Sequence, residues 1–298
     1  MTTQNMILTP GPRRSSVHGK ITWLGNQIAD RLTGSYDGET LNPPPWLTGP
    51  SNPAQVLVQS AKAMKAEALD PATGLVDYGK LASGSSYARF RELTRSLPNC
   101  DPSDLADQAT RMAFWINLYN ALILDAVVHY KIQGSLLRHF WIFRRAAYNV
   151  GGMRFSAEDI EHGILRGNRP HPTYHLRMFT ADDPRLELAL DLMDPRIHFA
   201  LVCGARSCPP IAFYDAEKLN LQLDQATSSF INAGGAHFDK ESKTLGLSKI
   251  FSWYQSDFGG REGVLSLIQS HLTEQIVFPE QKLQIRYLPY DWSVNTLV

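Results

Sequence analysis

The chain has 298 residues, of which 43% are hydrophobic and 19% are charged, and its 29 basic and 29 acidic side chains give a formal net charge of zero. This composition is typical of a globular protein with one large domain or two modest ones. A neutral chain argues against a broad nucleic-acid-binding surface, and no apolar run reaches the roughly 18 residues that span a bilayer, so we expect neither a nucleic-acid nor a membrane partner.

The three cysteines, Cys100, Cys203 and Cys208, are too few and too odd in number for a disulfide framework. The first twenty residues also lack the apolar core of a secretory signal peptide. We therefore expect a cytoplasmic, reducing location. A disulfide between Cys203 and Cys208 would close only a tiny loop, so such a bond would be redox-active rather than structural.

The N-terminal half is predicted to be helical after an irregular arm. Residues 1–50 are rich in Pro, Gly, Ser and Thr, which predicts an arm with one possible short helix at 21–32. Capping and apolar patterns predict helices at 53–68 and near 87–97. The strongest helix runs from about 102 to 131, and its apolar centre predicts a central buried helix.

Two asparagines, Asn117 and Asn120, lie three residues apart and therefore on one face of this helix. A buried amide needs hydrogen-bond partners, because an unpaired one costs roughly 1–3 kcal/mol. The two amides either satisfy the backbone of a loop or buttress the Cys203–Cys208 loop. Both interpretations stay open, and they are not exclusive.

A short hairpin and a capped helix follow the central helix. Residues 148–155 contain two short strands around a Gly-Gly turn. Ser156 is then the N-cap of a helix over 157–166, with Asp159 at the capping-box position. This helix carries Glu161 and His162.

The stretch over 194–211, DPRIHFALVCGARSCPPI, concentrates the reactive side chains of the chain. The apolar run at 197–202 predicts a buried strand. Four polar or reactive side chains follow it: Cys203, Arg206, Ser207 and Cys208. Since ligand sites in open sheets lie beyond the carboxyl ends of strands, we expect the functional site here.

The remaining elements alternate between helix and strand. They are a helix from 215 or 216 to about 231, a hairpin of 237–239 with 244–247, an aromatic-rich helical turn at 250–259, a helix at 262–272 and a strand at 283–288. We predict an α+β fold with an irregular arm over 1–50 and one compact domain over 51–298. In that domain the central buried helix packs on a small mixed or antiparallel sheet.

Five stretches, in this order along the chain, resemble one family. They are AFWINLYNALIL (113–124), YNVGGMRFSAEDIEHGILR (148–166), DPRIHFALVCGARSCPP (194–210), LSKIFSWYQSDFG (247–259) and YLPYDWSVN (287–295). The family is DUF547, a domain of unknown function, and the resemblance covers roughly residue 74 to the C-terminus. It implies a single domain over most of the chain and no particular reaction. The side chains that fit the family pattern better than either thiol are Asn117, Asn120, Ser207, Asp257 and Asp291.

One hypothesis is a hydrolase or an acyl or peptidyl transferase that acts on an amide, ester or peptide-like substrate through a cysteine nucleophile. A thiolate needs a lowered pKa, which a histidine, an arginine or a helix N-terminus can supply. Cys208 is the first candidate nucleophile and Cys203 the second. His162 or His198 would be the base.

The same hypothesis gives roles to the residues around the thiols. His237 is a further candidate base, oriented by Asp257, because the order Cys, His, Asp along the chain matches papain-like and transglutaminase-like enzymes. Asn117 or Asn120 would orient the base or donate to an oxyanion. Arg206 would bind a substrate carboxylate. The other predicted substrate-binding side chains are Ser207, Glu161 and Asp257.

Two alternatives stay open. The first is a non-catalytic binding or scaffold domain, in which the loop from Cys203 to Cys208 is a structural corner or binds an anion through its backbone. The second is a metal site with both thiols and His198 as ligands, and His162 or His237 as the fourth.

A set of aromatic side chains near the C-terminus is predicted to belong to the core rather than to a ligand cage. These are Trp253, Tyr254, Phe258, Tyr290 and Trp292. The sequence carries no nucleotide, flavin or haem motif, so we expect no cofactor. The expected partner is a small-molecule or peptide-like substrate, and the oligomeric state stays open.

Overall fold

The computed structural model describes residues 17–35, 39–49, 52–105, 107–274 and 283–297. Helices dominate these residues, and the two sheets in them have two and three strands. The predicted α+β class is therefore confirmed. Residues 1–16 of the predicted arm lie outside the described residues.

The regular elements follow one another in this order along the chain. The α-helices are α1 (Val17–Thr33), α2 (Pro53–Ala68), α3 (Tyr78–Ser83), α4 (Ser85–Thr94), α5 (Gln108–His129), α6 (Ile142–Arg145), α7 (Leu219–Phe230), α8 (Lys249–Trp253) and α9 (Gly260–His271). The strands are β1 (Ala147–Val150), β2 (Met153–Ser156), β3 (Ala236–Asp239), β4 (Thr244–Leu247) and β5 (Gln284–Tyr287). Two π-helical segments cover Asp159–Leu165 and Ile231–Gly235.

Helix α5 is the centre of the core, as its all-round apolar sequence predicts. It begins at Gln108 and not at the predicted residue 102, because Pro102–Asp104 forms a separate 3₁₀ turn. Asp107 caps the helix by accepting from the Thr110 N–H (2.8 Å). Among the described residues it is the one helix long and apolar enough to cross a bilayer, and 89% of its apolar window is buried inside the fold. It is thus the core helix of this domain.

Helix α5 reaches the two-stranded sheet through side chains on two of its turns. The rings of Trp115 and Phe155 lie 4.8 Å apart. The Tyr148 hydroxyl donates to Asp125 Oδ2 (2.6 Å). The predicted packing of the central helix against a small sheet is therefore present.

The two sheets have the hairpins that the sequence predicts. Strands β1 and β2 pair antiparallel around Gly151 and Gly152, whose φ angles of 59° and 79° suit a tight hairpin turn. In the second sheet β4 lies in the middle, antiparallel to β3 and parallel to β5. This mixed sheet packs with α8 and α9 around a second, aromatic-rich core cluster.

The prediction of a strand at 197–202 is wrong. Pro195–Phe199 is a 3₁₀ turn, and the residues after it are irregular. Asp194 caps this turn by accepting from the Arg196 N–H (2.9 Å), and Pro195 already has the φ that a helical start requires. The backbone beyond the turn is hydrogen-bonded by the Asn120 side chain instead of a sheet ladder.

Two helix boundaries also differ from the prediction. The helix predicted near 87–97 is α4, which begins at Ser85 and ends at Thr94, and the short helix α3 before it was not predicted. The helix predicted to end near 231 continues as a π-helical segment to Gly235, where Gly234 takes a φ of 104°.

Part of the predicted arm is the regular helix α1, which is longer than the predicted 21–32. It is fastened to α6 through Arg144, whose guanidinium donates to Asp30 (2.7 Å) and to the side chain of Asn26 (2.9 Å). The boundary predicted between arm and domain at residue 50 stays a prediction.

Candidate functional site

A cavity of about 320 Å³ lies where the Cys203–Cys208 loop, the helical segment over 157–165, α8 and the C-terminal segment meet. Its wall is mostly apolar and aromatic. The ionisable or reactive side chains in this wall, tyrosines apart, are Glu158, Glu161, His162, His171, His198, Cys203 and Cys208. An apolar cavity with a few convergent polar groups is the usual form of a small-molecule site.

Cys203 and Cys208 both line the cavity and are joined by a disulfide. Cys208 Sγ accepts from the backbone N–H of Cys203 (3.1 Å). It also lies 3.1 Å from the Tyr290 hydroxyl, which is the donor because a disulfide sulfur has no proton. Two donors therefore converge on the sulfur of Cys208.

The loop between the two cysteines is held against the C-terminal segment. Gly204 has a φ of +84°, and a Cβ there would lie 3.3 Å from Ile123, so glycine suits this corner. The Arg206 N–H donates to Ser293 O (2.8 Å), and Ser207 Oγ accepts from the Asp291 N–H (2.8 Å).

Two predicted substrate-binding residues lie away from the cavity. Arg206 is exposed, and its guanidinium donates to Thr296 O (3.1 Å). The hydroxyl of Ser207 is used to fasten the loop. Neither side chain lines the cavity, so the structure does not support contact of either with a substrate there.

Asn117 and Asn120 lie behind the loop and hold the backbone on both sides of it. Asn117 pairs with the backbone of Tyr214 through both of its amide atoms (2.7 and 2.8 Å). Asn120 Nδ2 donates to the Ala200 and Ala212 carbonyls, and its Oδ1 accepts from the Val202 N–H. Both interpretations of these amides therefore hold, since they satisfy backbone and buttress the loop.

The same contacts argue against the predicted direct roles of Asn117 and Asn120. Neither residue lines the cavity, and their amide groups are bound to backbone. A group in this position cannot donate to an oxyanion in the cavity. They are positioning residues.

His198 lines the cavity and contacts Asp257. Its Nε2 lies 3.0 Å from Oδ2 of Asp257, and its ring stacks on Tyr254 at 3.8 Å. Asp257 does not line the cavity; it also accepts from the guanidinium groups of Arg166 (2.6 Å) and Arg169 (3.2 Å). The predicted substrate contact of Asp257 is therefore not present, and this carboxylate orients His198 instead.

The predicted grouping of Cys208, His237 and Asp257 is not present. His237 is exposed on β3 and does not line the cavity. The histidine beside Asp257 is His198 and not the predicted His237.

Burial and hydrogen bonds set the charges of this pair. Burial would raise the pKa of Asp257, but the hydrogen bonds from His198 and Arg166 outweigh it and lower that pKa below its ordinary value. Burial lowers the pKa of His198. The pair is therefore an ionised carboxylate and a neutral imidazole at neutral pH.

Glu161 lines the cavity and is only 9% exposed. Its carboxylate accepts from the hydroxyls of Tyr254 (2.5 Å) and Tyr119 (3.1 Å). The predicted placement of Glu161 at the site thus agrees with the structure, whereas its two tyrosine partners were not predicted. No pattern in the sequence pairs either tyrosine with it.

His162 also lies in the cavity wall, as its place on the helix beside Glu161 predicted. Its Nδ1 lies 3.1 Å from the guanidinium of Arg166 and its ring packs edge-on against His171 at 4.3 Å. Burial lowers the pKa of His162, and burial lowers that of His171 to about 2. His171 was missed from the sequence because it lies in a loop rich in proline and histidine.

The aromatic set contributes to both the core and the cavity wall. Phe258 belongs to the second core cluster, as predicted. Trp253, Tyr254, Tyr290 and Trp292 are partly buried and pack against the core clusters, and they also line the cavity. The ring centroids of Trp253, Tyr290 and Trp292 lie 4.7 to 5.5 Å from one another and form an aromatic wall.

A family model described as "Protein of unknown function, DUF547" matches residues 102–231. The resemblance to DUF547 is confirmed over these residues. No curated protein and no solved structure matches the chain.

The DUF547 segment contains α5, the Cys203–Cys208 loop, His198 and Glu161. Asp257, Tyr290 and the aromatic wall come from the chain after it. The cavity is therefore built jointly from the DUF547 segment and the residues that follow.

The metal alternative finds no support in this arrangement. Within the described residues, no group of three His, Cys, Asp or Glu side chains is arranged to hold a metal ion. Cys203 and Cys208 are bonded to each other, and His198 is bonded to Asp257.

Proposed function

We propose that this chain is a cysteine-dependent hydrolase or acyl transferase, with Cys208 as its nucleophile, that acts on a small amide, ester or peptide-like substrate. One observation carries the proposal: the same apolar cavity is lined by the Cys208 sulfur, which has two hydrogen-bond donors, and by His198, which Asp257 contacts from behind. Thiol enzymes need this combination of an activated sulfur and an oriented base.

The hydrogen bonds favour Cys208 over Cys203 as the nucleophile. In the disulfide form the Cys203 N–H and the Tyr290 hydroxyl are aimed at Cys208 Sγ, and we infer that both donors stay there after reduction. Hydrogen bonds to the charged form of a group lower its pKa, so Cys208 becomes the more acidic thiol. Cys203 Sγ lies 3.6 Å from Tyr290 and has the weaker contact.

His198 is the proposed base. Its Nε2 proton is held by the Asp257 carboxylate, which leaves Nδ1 as the ring atom that can accept a proton. Because burial lowers its pKa, the imidazole is neutral and ready to accept. Asp257 then stabilises the imidazolium that forms, as an aspartate does in other triads.

The disulfide is the oxidised resting form in this proposal. A dithiol reductant supplies two electrons and two protons, and it leaves as its own disulfide while both cysteines become thiols. A cytoplasmic location, expected from the sequence, would supply such a reductant.

The thiol reaction then has two halves. The Cys208 proton passes to His198 Nδ1 and the thiolate attacks the substrate carbonyl carbon. The leaving amine or alcohol takes the proton from His198, and a thioester remains on Cys208. Water or an acceptor nucleophile then gives up a proton to His198 and attacks the thioester carbon. The carbon–sulfur bond breaks, the acyl group leaves on the nucleophile, and the Cys208 sulfur takes the proton back from His198.

The experiment is acyl transfer from p-nitrophenyl esters to the reduced protein, with p-nitrophenol release and the added mass located by peptide mass spectrometry. We expect the acyl group on Cys208, its loss in Cys208→Ser and its retention in Cys203→Ser and in the control Cys100→Ser. Slow release in His198→Gln would support the base. Equal acylation of all three cysteines, or none under reducing conditions, would contradict the proposal.

A second candidate is a non-catalytic domain whose loop is a structural corner. The observation in its favour is that the disulfide and the bonds from Arg206, Ser207 and Asn295 tie the loop to neighbouring backbone. This candidate predicts that Cys208→Ser lowers the free energy of unfolding without changing any ester reactivity.

A further inference from the structure

Glu161 is a buried carboxylate in the wall of a cavity that no lysine or arginine among the described residues lines. Both oxygens accept from tyrosine hydroxyls, which solvate the negative charge but leave it in place. Among the described residues, no Lys or Arg lies within ion-pair distance of Glu161, and none lines the cavity.

The other buried carboxylates nearby differ in this respect. Glu158 pairs with Arg144 (3.0 Å), and Asp257 pairs with Arg166 (2.6 Å). The two arginines are thus already used by these partners. Burying a charge without a counter-charge is costly, so a carboxylate kept this way fits a ligand that supplies the cation.

His162 does not supply the missing charge. Its Nδ1 lies 3.9 Å from Oε1 of Glu161, but burial and the neighbouring Arg166 lower the pKa of this imidazole. The ring is therefore neutral at neutral pH and supplies no counter-charge to Glu161.

A further part of the cavity wall is aromatic. Trp253, Tyr290 and Trp292 form the wall described above. Faces of such rings attract organic cations and pack against apolar groups. A volume of about 320 Å³ is enough for a small organic ligand.

We propose that the cavity binds an organic ammonium compound, with the ammonium group at Glu161 and an apolar or aromatic body against Trp253, Tyr290 and Trp292. This inference names the substrate class of the proposed thiol enzyme and in that sense rests on the proposed function. It also replaces the predicted carboxylate substrate, since Arg206 lies outside the cavity.

The test is a calorimetric titration of the oxidised protein, in which the disulfide prevents turnover. The probes are tryptamine, its neutral analogue tryptophol and its anionic analogue indole-3-propionate. We expect tryptamine to bind roughly tenfold or more tightly than tryptophol, and indole-3-propionate to bind most weakly. Equal binding of the three, or tightest binding of the anion, would overturn the inference.

Two variants test whether the preference for the cation comes from the Glu161 carboxylate or from the net charge of the protein. In Glu161→Gln the preference for tryptamine over tryptophol should disappear, while tryptophol binds as before. The control Glu217→Gln removes an exposed carboxylate outside the cavity and should keep the preference. An unchanged preference in Glu161→Gln would contradict the inference, and if that variant does not fold the wild-type series still decides.

Because binding is measured without thiol chemistry, the two proposals fail separately. Ammonium selectivity with no acylation of Cys208 would contradict the proposed thiol enzyme and support the ammonium site. Acylation of Cys208 without ammonium selectivity would support the thiol enzyme and contradict the ammonium site.

Discussion

His198 Nε2 lies 3.0 Å from Asp257 Oδ2, although 59 residues separate the two in the chain. This contact joins the 3₁₀ turn before the cysteine loop to the segment after α8. It fixes which nitrogen of the imidazole is occupied, and it places an ionised carboxylate behind a neutral histidine. The proposed chemistry depends on this relationship.

Asp257→Asn should destabilise the fold strongly. The buried Arg166 would lose its carboxylate partner, and breaking a buried ion pair costs about 3–5 kcal/mol. Urea unfolding measures this free energy. The control Asp224→Asn breaks a pair with Arg196 in which the aspartate is 48% exposed, and should cost under about 1 kcal/mol. An equal loss of unfolding free energy in the two variants would show that the buried Asp257 pair is worth no more than the exposed one.

The free energy of unfolding should fall as the pH falls below about 6.5. Burial lowers the pKa values of His162, His171 and His198 in the folded protein. The unfolded chain therefore binds more protons between about 6.5 and the lower folded values, and stability is lost as the pH falls through that window.

Two histidine variants test this pH dependence by urea unfolding between about pH 5.5 and 7.5, where ordinary carboxylates titrate little. His171, whose pKa is lowered to about 2, should contribute close to one proton at the acidic end. We expect His171→Gln to flatten the dependence and His237→Gln, an exposed control, to leave it unchanged. The same slope in His171→Gln and wild type would refute the assignment.

Asn120→Ala should cost about 3 kcal/mol, because it leaves the buried backbone groups of Ala200 and Val202 and the partly buried carbonyl of Ala212 without their partner. Asn232 offers a matched control, since it also makes three hydrogen bonds but is exposed. We expect Asn232→Ala to cost under about 1 kcal/mol in the same urea titration. A similar cost for both would argue against the buttressing of the cysteine loop.

Tyr290→Phe should raise the pKa of the Cys208 thiol in the reduced protein. The hydroxyl 3.1 Å from Sγ would be lost, and one hydrogen bond to a charged group corresponds to about one pKa unit. The rate of alkylation at Cys208 against pH measures this. Tyr287→Phe, on β5 outside the cavity, should leave the thiol pKa unchanged. An unaltered thiol pKa in Tyr290→Phe would show that the hydroxyl does not help to activate Cys208.

Local patterns predicted much of the fold. The apolar centre of α5, the Gly-Gly hairpin and the capping box between Ser156 and Asp159 depend on neighbours within a few residues. The capping box is present in both directions, with Ser156 Oγ accepting from the Asp159 N–H and Asp159 Oδ2 accepting from the Ser156 N–H.

The site was only partly predictable because its partners are far apart in the chain. Residues 197–202 carry a strand-like apolar run, but the Asp194 cap and the amide of Asn120 satisfy its backbone instead. The pairing of His198 with Asp257 and of Glu161 with Tyr254 spans 59 and 93 residues. No local periodicity encodes such contacts, and none indicates that the aromatic wall also lines the cavity.

The proposed activation of the Cys208 thiol is tested most directly by the pH dependence of iodoacetamide labelling after reduction, followed by mass spectrometry at each of the three cysteines. We expect selective labelling of Cys208 with an apparent pKa well below about 8.5, and little labelling of buried Cys100, whose pKa is raised by burial. Labelling of Cys208 only after denaturation, or with the pKa of an ordinary thiol, would contradict it.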